Sequence, residues 1–548
     1  MTELFSNFGA YDFVIRDGMV LALMALSIYV VLSAGIFALP QVGLMAIGAY
    51  VSAIVSLETG APFFVSFVAG VLASGVVAVA LATVLRRLNG IYLAIASIAF
   101  AETVRVAVLN IPITGGAQGL VGIPRSANDV VICVLVAAAF LGLWLLKRSR
   151  FGLAIRAMRQ DPVMASHQGI DVVRYRTMLF GLSGVLAGAS GALYVHMSGF
   201  AEPSQFSFDL LTQLLAIVVI GGSTFVAGSL VGAVVVFGLP IALTGLAEYE
   251  VMVNGALIVL IVAFAPGGIL GLLESVRTRR RATVSAATGE HPQVPKPVTL
   301  PRPDASPGQV NLEVSEIVMA FGGVRALDQV SVQARSGEVL GVIGPNGSGK
   351  TTLLNVLSGV YRPASGAGRL LARDLPPLWG RPHRIAREGL ARTFQHIRLM
   401  DTETVLTNVR LGVPVGTGES AQDRARRLLE EHGLAWAGHV QVGNLPYGVR
   451  RRVEIVRALA RGPRVLLLDE PTAGMNPTER EEVFDTIATI RDRGVAVIVV
   501  EHDVAMMRSF CDRLIVLDFG KMIADGDPDT VLDSKEVVRA YIGSGSLA

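Results

Sequence analysis

Val339-Leu340-Gly341-Val342-Ile343, then Gly344-Pro345-Asn346-Gly347-Ser348-Gly349-Lys350-Thr351, then Thr352-Leu353-Leu354-Asn355-Val356-Leu357, read as a buried strand, a loop and a helix. The middle stretch fits the phosphate-loop pattern G-x-x-x-x-G-K-[ST] in the strand–loop–helix context that pattern requires. Its glycines let backbone N–H groups wrap phosphates at a helix N-terminus, where anions are favoured. Lys350 is placed to reach the β- and γ-phosphates, and Thr351 to hold Mg²⁺ through its hydroxyl. The expected nucleotide contacts are therefore Gly344, Pro345, Asn346, Gly347, Ser348, Gly349, Lys350, Thr351 and Thr352.

Downstream, Val465-Leu466-Leu467-Leu468 is a continuous apolar run ending in Asp469-Glu470. A strand buried on both faces reads this way, and ligands bind at the carboxyl ends of such strands. Asp469 is placed to hold the metal and Glu470 to polarise an attacking water. A second apolar run, Val495–Val500, ends in Glu501-His502-Asp503, so His502 is a candidate contact to the γ-phosphate. A lone histidine is more often structural, but this one follows the strand next after the carboxylate pair.

Upstream of these motifs the chain changes character. Over its 548 residues it is 52% hydrophobic and 17% charged, below the quarter typical of soluble domains. The apolar excess lies before about residue 275. Runs of spanning length fall at 18–39, 41–57, 62–86, 91–109, 128–147, 175–199 and 251–273. Residues 209–246, broken by Gly221-Gly222-Ser223-Thr224, read as two short spans meeting at an irregular segment, giving about nine spans in all. The expected order is a polytopic α-helical membrane domain at 1–275, a linker at 276–309 rich in proline (Pro292, Pro295, Pro297, Pro301, Pro303, Pro307), and an α/β phosphate-loop ATPase domain at 310–545.

Charge supports a membrane reading and little else. Arg86, Arg87, the arginines between 147 and 176, and Arg277–Arg281 sit in alternate loops, opposite Glu58, Glu202, Glu248 and Glu250. The positive-inside rule places the basic loops in the cytoplasm, the N-terminus outside and the C-terminal domain inside. A net charge of +3 gives no case for nucleic acid, and the two cysteines have no metal-ligand neighbours. Glu3, Asp12 and Asp17 replace the basic start of a cleaved signal peptide. Glu102 and Arg105, inside the fourth apolar run, are spaced to pair; a structural pair and a pathway role are both open. Gly181, Gly184, Gly188 and Gly191 suit close helix packing more than a translocation path. Leu153–Ser166, with its apolar stripe, suggests a short surface helix.

Leu445-Pro446-Tyr447-Gly448-Val449-Arg450-Arg451-Arg452-Val453-Glu454-Ile455-Val456-Arg457-Ala458-Leu459 precedes Asp469 by about a strand and a turn. The order of phosphate loop, Gln395, this signature, the carboxylate pair and His502 resembles the ATP-binding cassette family over the whole of 310–545. The resemblance implies that Phe321 stacks on adenine, that Gln395 joins the catalytic and metal set with Asp469 and Thr351, and that Gly448 contacts the γ-phosphate held by an opposing ATPase subunit. It implies ATP and Mg²⁺ as cofactors. The signature departs from Leu-Ser-Gly-Gly-Gln: Pro446, Tyr447 and Val449 replace the serine, a glycine and the glutamine. Asn476 stands where many cassettes have aspartate.

The Leu-Pro-Tyr-Gly form resembles one ATPase of the bacterial branched-chain amino acid importers. Gly43–Ala53, Gly90–Arg105, Thr114–Pro124, Ser149–Gly169 and Pro266–Leu273 resemble the permease of those importers. The resemblance implies a permease–ATPase fusion in a bacterial inner membrane, with 153–169 as the coupling helix. It also implies a second permease, a second and differing ATPase, and an external solute-binding protein. Solutes of such importers include branched-chain amino acids, urea, amides and aromatic acids. An exporter would have longer spans, and a regulatory ATPase has only the altered signature in its favour.

Overall fold

The computed structural model describes residues 8–242, 250–265, 267–274, 308–371, 373–414, 416 and 419–542. It divides into two compact units, one over Met1–Gln160 and Val172–Glu290, the other over Asp161–Asp171 and His291–Ala548.

The first unit is helical. Its helices are α1 (Phe8–Leu32), α2 (Gln41–Thr59), α3 (Phe63–Val84), α4 (Gly90–Asn110), α5 (Asp129–Arg148), α6 (Arg150–Gln160), and, after the α7 segment described below, α8 (Val172–Ser198), α9 (Phe208–Gly221), α10 (Val226–Ala242) and α11 (Glu250–Phe264). A two-residue ribbon, β1 (Leu120–Val121) with β2 (Phe200–Ala201), ties the loop after α4 to the end of α8. The count of about nine spans is not confirmed. Among the described residues six helices are long and apolar enough to cross a membrane, and α9 with α10 forms one further pair bent by 117°. The bend falls at the Gly221–Thr224 break, where Gly222 takes φ +111°. α11 has 15 described residues. The expected linker lies outside the described residues apart from 308–309.

The first hairpin also differs from expectation. α1 stops at Leu32, not near residue 39. Ile36 N–H donates to Val31 O and Gly35 N–H to Leu32 O, the paired bonds of a glycine-terminated helix, with Gly35 at φ +74°. The irregular stretch that follows is tied inward. Ser97 Oγ accepts from Leu39 N–H, and Gln41, fully buried, donates to Ala38 O and Ser183 Oγ.

Close approach explains the glycines of α8. A Cβ on Gly184 would lie 2.4 Å from Ala78 Cβ, and one on Gly191 would lie 2.1 Å from Met45 O. Gly48 and Gly188 meet backbone to backbone. These residues let α2, α3 and α8 pack tightly, the packing reading of the sequence. Glu102 and Arg105 do pair, at 2.5 Å, on a partly exposed face of α4.

The second unit contains α7 (Pro162–His167) and then a layered α/β body. Strands β3 (Val310–Phe321), β4 (Val324–Arg335), β6 (Ser365–Leu370) and β7 (Arg373–Asp374) form an antiparallel sheet in the order β4-β3-β6-β7. A second sheet runs β12-β11-β5-β10-β9-β8. It comprises β5 (Val339–Ile343), β8 (Leu390–Arg392), β9 (Val465–Asp469), β10 (Ala496–Val500), β11 (Arg513–Asp518) and β12 (Lys521–Gly526), and it is parallel except for β12. Every residue of β5, β9 and β10 is buried, as their apolar runs foretold.

The helices of this unit are α12 (Lys350–Leu357), α13 (Pro382–Arg387), α14 (Val405–Gly412), α15 (Ala421–Glu431), α16 (Tyr447–Leu459), α17 (Pro477–Asp492), α18 (Val504–Phe510), α19 (Pro528–Leu532) and α20 (Lys535–Ile542). α14, α15 and α16 share their own core, built on Val405, Val409, Leu429, Val453 and Val456. That core is the helical subdomain the fold class requires.

Candidate nucleotide-hydrolysis site

β5 delivers the chain to Gly344, and α12 begins at Lys350. The loop between them is closed upon itself. Lys350 Nζ donates to Gly344 O at 2.7 Å and Pro345 O at 2.8 Å. Gly349, the residue before the helix, takes φ +105°, and a Cβ there would lie 2.6 Å from Ala326 O. Burial lowers the Lys350 pKa, opposed by the carboxylates of Glu470 and Asp469. Among the described residues Ser348 Oγ is buried without a hydrogen-bond partner, in a loop whose sequence pattern suits phosphate oxygens.

β9 and β10 lie side by side, with Asp469 opposite Val500. This register brings three of the expected residues together. His502 Nε2 lies 2.6 Å from Glu470 Oε1, and Gln395 Nε2 donates to Glu470 Oε2 at 2.9 Å. Glu470 has φ +45°, a left-handed backbone uncommon for a non-glycine residue. Its N–H is held by Val500 O at 2.9 Å. Strain of this kind persists only where the surroundings fix it, and it concentrates at functional sites.

Asp469 and Thr351 supply a carboxylate and a hydroxyl, and Gln395 keeps its amide oxygen free of the bond its Nε2 makes. Hard oxygen donors of this kind suit Mg²⁺. Phe321 is 44% exposed and meets Tyr361 edge to face at 5.2 Å, so one ring face remains open for a planar base. Gly448 sits elsewhere, in the first turn of α16. A Cβ there would be 2.7 Å from Glu479 Oε1 of α17, and among the described residues no hydrogen bond joins it to the phosphate loop. The residue before α16 is Pro446, and no side chain caps that helix. Its positive end lies beside the Glu479 carboxylate, and its first N–H groups make no side-chain cap bond among the described residues.

The sequence reading missed three arginines. Arg392, at the end of β8, donates to Asp469 Oδ2 at 3.1 Å, to Asn355 Oδ1 at 2.6 Å and to Ser358 Oγ at 2.9 Å. It is 3% exposed and fixes the Asp469 carboxylate. Arg451, fully buried on α16, donates to Phe394 O, Gln395 O and Glu470 O, and pairs with Glu454 at 2.8 Å. Arg398 N–H donates to Glu454 Oε1, and its guanidinium pairs with Asp161 at 2.5 Å. A continuous set of contacts thus runs from Asp161 through Arg398, Glu454 and Arg451 to the main chain of Glu470. The available signal was an arginine on an otherwise apolar strand, and a triple-arginine run on a helix.

The expected single helix over Leu153–Ser166 is two helices, because Pro162 cannot continue α6. Asp161 Oδ1 instead accepts from Val163 N–H and Met164 N–H, capping α7. Residues 161–171 lie in the second unit. Arg387 donates to Gly169 O, Arg461 donates to Gln168 O, and His167 meets Phe394 edge to face at 5.0 Å.

Two family models match. "Branched-chain amino acid transport system / permease component" covers residues 10–262 and "ABC transporter" covers residues 327–473. The high-affinity branched-chain amino acid transport ATP-binding protein LivG of Salmonella typhimurium is 38% identical over 250 residues, spanning 42% of this chain and 97% of its own. BraF of Pseudomonas aeruginosa, of the same description, is 37% identical over the same shares. A crystal structure of an ATP-binding cassette of an ABC transporter in its ADP conformation is 30% identical, covering 43% of this chain and 99% of its own, at a TM-score of 0.40.

Proposed function

Because the chain belongs to the family of branched-chain amino acid ABC transporters, carrying a permease and its ATPase in one polypeptide, we propose that it imports branched-chain amino acids, or a closely related small polar solute, across a bacterial inner membrane. The observation that carries this is the conjunction itself. A permease of that type is continuous with a cassette in which Gln395 and His502 both contact Glu470.

In this reading ATP occupies the loop from Gly344 to Thr352 with its base against Phe321. When bound, Mg²⁺ neutralises phosphate charge beside Thr351, Asp469 and Gln395. Glu470 orients the attacking water, and His502 and Gln395 hold Glu470 in place. Gly448 and the uncapped N-terminus of α16 serve the γ-phosphate of an opposing ATPase. Asp161–Asp171 carries the state of the site to the permease helices.

The assembly comprises this chain, a second permease, a second ATPase differing from this one, and an external solute-binding protein. The missing signature serine favours the differing partner, since one phosphate contact is absent wherever this chain's signature is used.

Glu470→Gln tests the reading. The variant complex is expected to bind ATP, hold it unhydrolysed at the site built from this chain's phosphate loop, and lose solute uptake. Uptake at the wild-type rate would remove Glu470 as the essential base.

A further inference from the structure

A cavity of about 670 Å³ lies in the first unit, within the range of small-molecule sites. The middle of α1, the end of α8, the turn at Pro203–Phe206 and the first turns of α9 border it. The wall is built rather than loose. Glu202 and Gln205 cap that turn reciprocally, and Phe206, 3% exposed, packs against Tyr50 at 5.9 Å between rings. The lining mixes apolar groups (Leu21, Met45, Phe206) with polar ones (Thr212, Gln213, Asp17), and among the described residues it includes no lysine, arginine or histidine.

Asp17 is the unexplained member. Its Oδ1 is shut off from solvent and, among the described residues, has no hydrogen-bond partner. The neighbouring Arg16 pairs instead with Asp129 of α5, at 2.6 Å. A carboxylate oxygen in a spanning helix is costly without a partner, and such residues mark the paths of charged groups. Position narrows the partner's source. From Val172 to Tyr194, which lines the cavity, α8 rises about 33 Å, the thickness of a hydrocarbon core. The cavity therefore lies at the end of α8 far from the basic loop that precedes it.

We propose that this cavity is a solute-receiving site on the outer side of the permease, in which Asp17 takes the ammonium group of an amino acid while the apolar wall accepts its side chain. The site rests on the import reading given above and names the chemistry it must recognise.

The test uses the complex purified with its partner subunits, without the solute-binding protein, in phosphatidylglycerol nanodiscs. Radiolabelled leucine is expected to bind, to be displaced by leucinamide, which keeps the amine, and not by N-acetylleucine, which lacks its charge. Asp17→Asn should weaken binding by roughly thirtyfold or more, the scale of losing a buried charged partner. Asp17→Glu should retain part of it, and both variants should co-purify with the second permease as wild type does, showing that the permease unit of each is folded. Competition by N-acetylleucine equal to that of leucine, or wild-type binding by Asp17→Asn, overturns the proposal. So does loss of leucine binding in discs containing phosphatidylethanolamine, which would assign the site to a lipid amine. If leucine drives ATP hydrolysis through the binding protein but no amine binds at Asp17, the site fails and the import reading stands. If a different amine binds in an Asp17-dependent way, the site stands and the branched-chain reading fails.

Discussion

Arg451 sets where the Glu470 carboxylate, the proposed base, points without touching its side chain. Its guanidinium holds the carbonyls of Phe394, Gln395 and Glu470, so one fully buried group fixes both Gln395 and the left-handed residue that carries the carboxylate. Arg451→Met keeps the apolar stem and removes all these bonds. It also leaves Glu454 with the Arg398 N–H bond and the longer Arg457 contact, at 3.7 Å. The variant is expected to bind ATP with little change and to lose roughly a hundredfold in kcat, the scale of a misplacement of about 1 Å. Steady-state ATPase kinetics check this, and an unchanged kcat would remove Arg451 from the positioning role. Two buried histidines give this unit a pH dependence. Burial pushes both His167 and His432 down to about 4, with Arg392 and Arg398 adding to the first, against Asp161, and Arg493 and Arg452 adding to the second. Both are neutral in the folded chain at pH 7, and the unfolded chain takes up protons first, near 6.5. Stability is therefore full above that value and falls as pH drops from about 6.5 towards 4, by about 3 kcal/mol for each histidine. Thermal unfolding at pH 7 and pH 5 should show a lower Tm at pH 5, and replacing both histidines by glutamine should shrink the difference.

The six-residue helix α7 shows how much a single side chain can set at the level of an element. Asp161 does two separable things: it caps α7 with one oxygen and pairs with Arg398 through the other. Asp161→Ala loses both functions, including a cap worth about 1 kcal/mol. Asp161→Asn keeps an oxygen for the cap and loses the charge. If the contacts from Asp161 to Glu470 carry coupling, Asp161→Asn should retain ATP hydrolysis while its uptake per ATP hydrolysed falls. Parallel ATPase and uptake measurements on the two variants check this, and equal coupling in Asp161→Asn and wild type would assign Asp161 to capping alone. Helices α6 and α7 also show what was legible at this scale. The presence of a helical segment was readable from the stripe of Leu153, Ile155 and Met158, and Pro162 announced the break. The owner of α7 was not readable, because its partners Arg387, Arg398 and Arg461 lie more than two hundred residues further along. Periodicity reports which face is buried, never which distant residue covers it. The same limit hid the end of α1, where Gly35 terminates a run whose hydrophobicity continues to Leu39.

At the scale of the molecule, the two units differ in how much their sequences disclose. In the second, strands buried on both faces leave continuous apolar runs, and chemistry collects at their carboxyl ends. Asp469, Glu470 and His502 were therefore legible, and β9 beside β10 brings them together. Arg392 and Arg451 were not, because a buried arginine and an exposed one look alike in a sequence. In the first unit the apolar runs and the Gly221–Thr224 break mark the helices, including the pair bent by 117°, but apolar length alone does not say which of them cross a membrane. The altered signature has a consequence only at this scale. Pro446 immediately precedes α16 and Val449 stands on it; in the proposed assembly this helix faces another ATPase, one whose own signature completes the site at Gly344–Thr352. Co-expression of two copies of this chain bearing different affinity tags, together with its partner subunits, examines this directly. In the proposed hetero-complex, purification on one tag recovers ATPase-active transporter free of the second tag. In a homodimer both tags co-purify, and two altered signatures then suffice. Pro446→Ser adds a hydroxyl able to cap α16 and contact phosphate. In the hetero-complex it should raise hydrolysis only at the partner's phosphate loop. Once Glu470→Gln has silenced this chain's own site, that gain should persist as residual ATPase activity; its absence would place no working phosphate loop opposite α16.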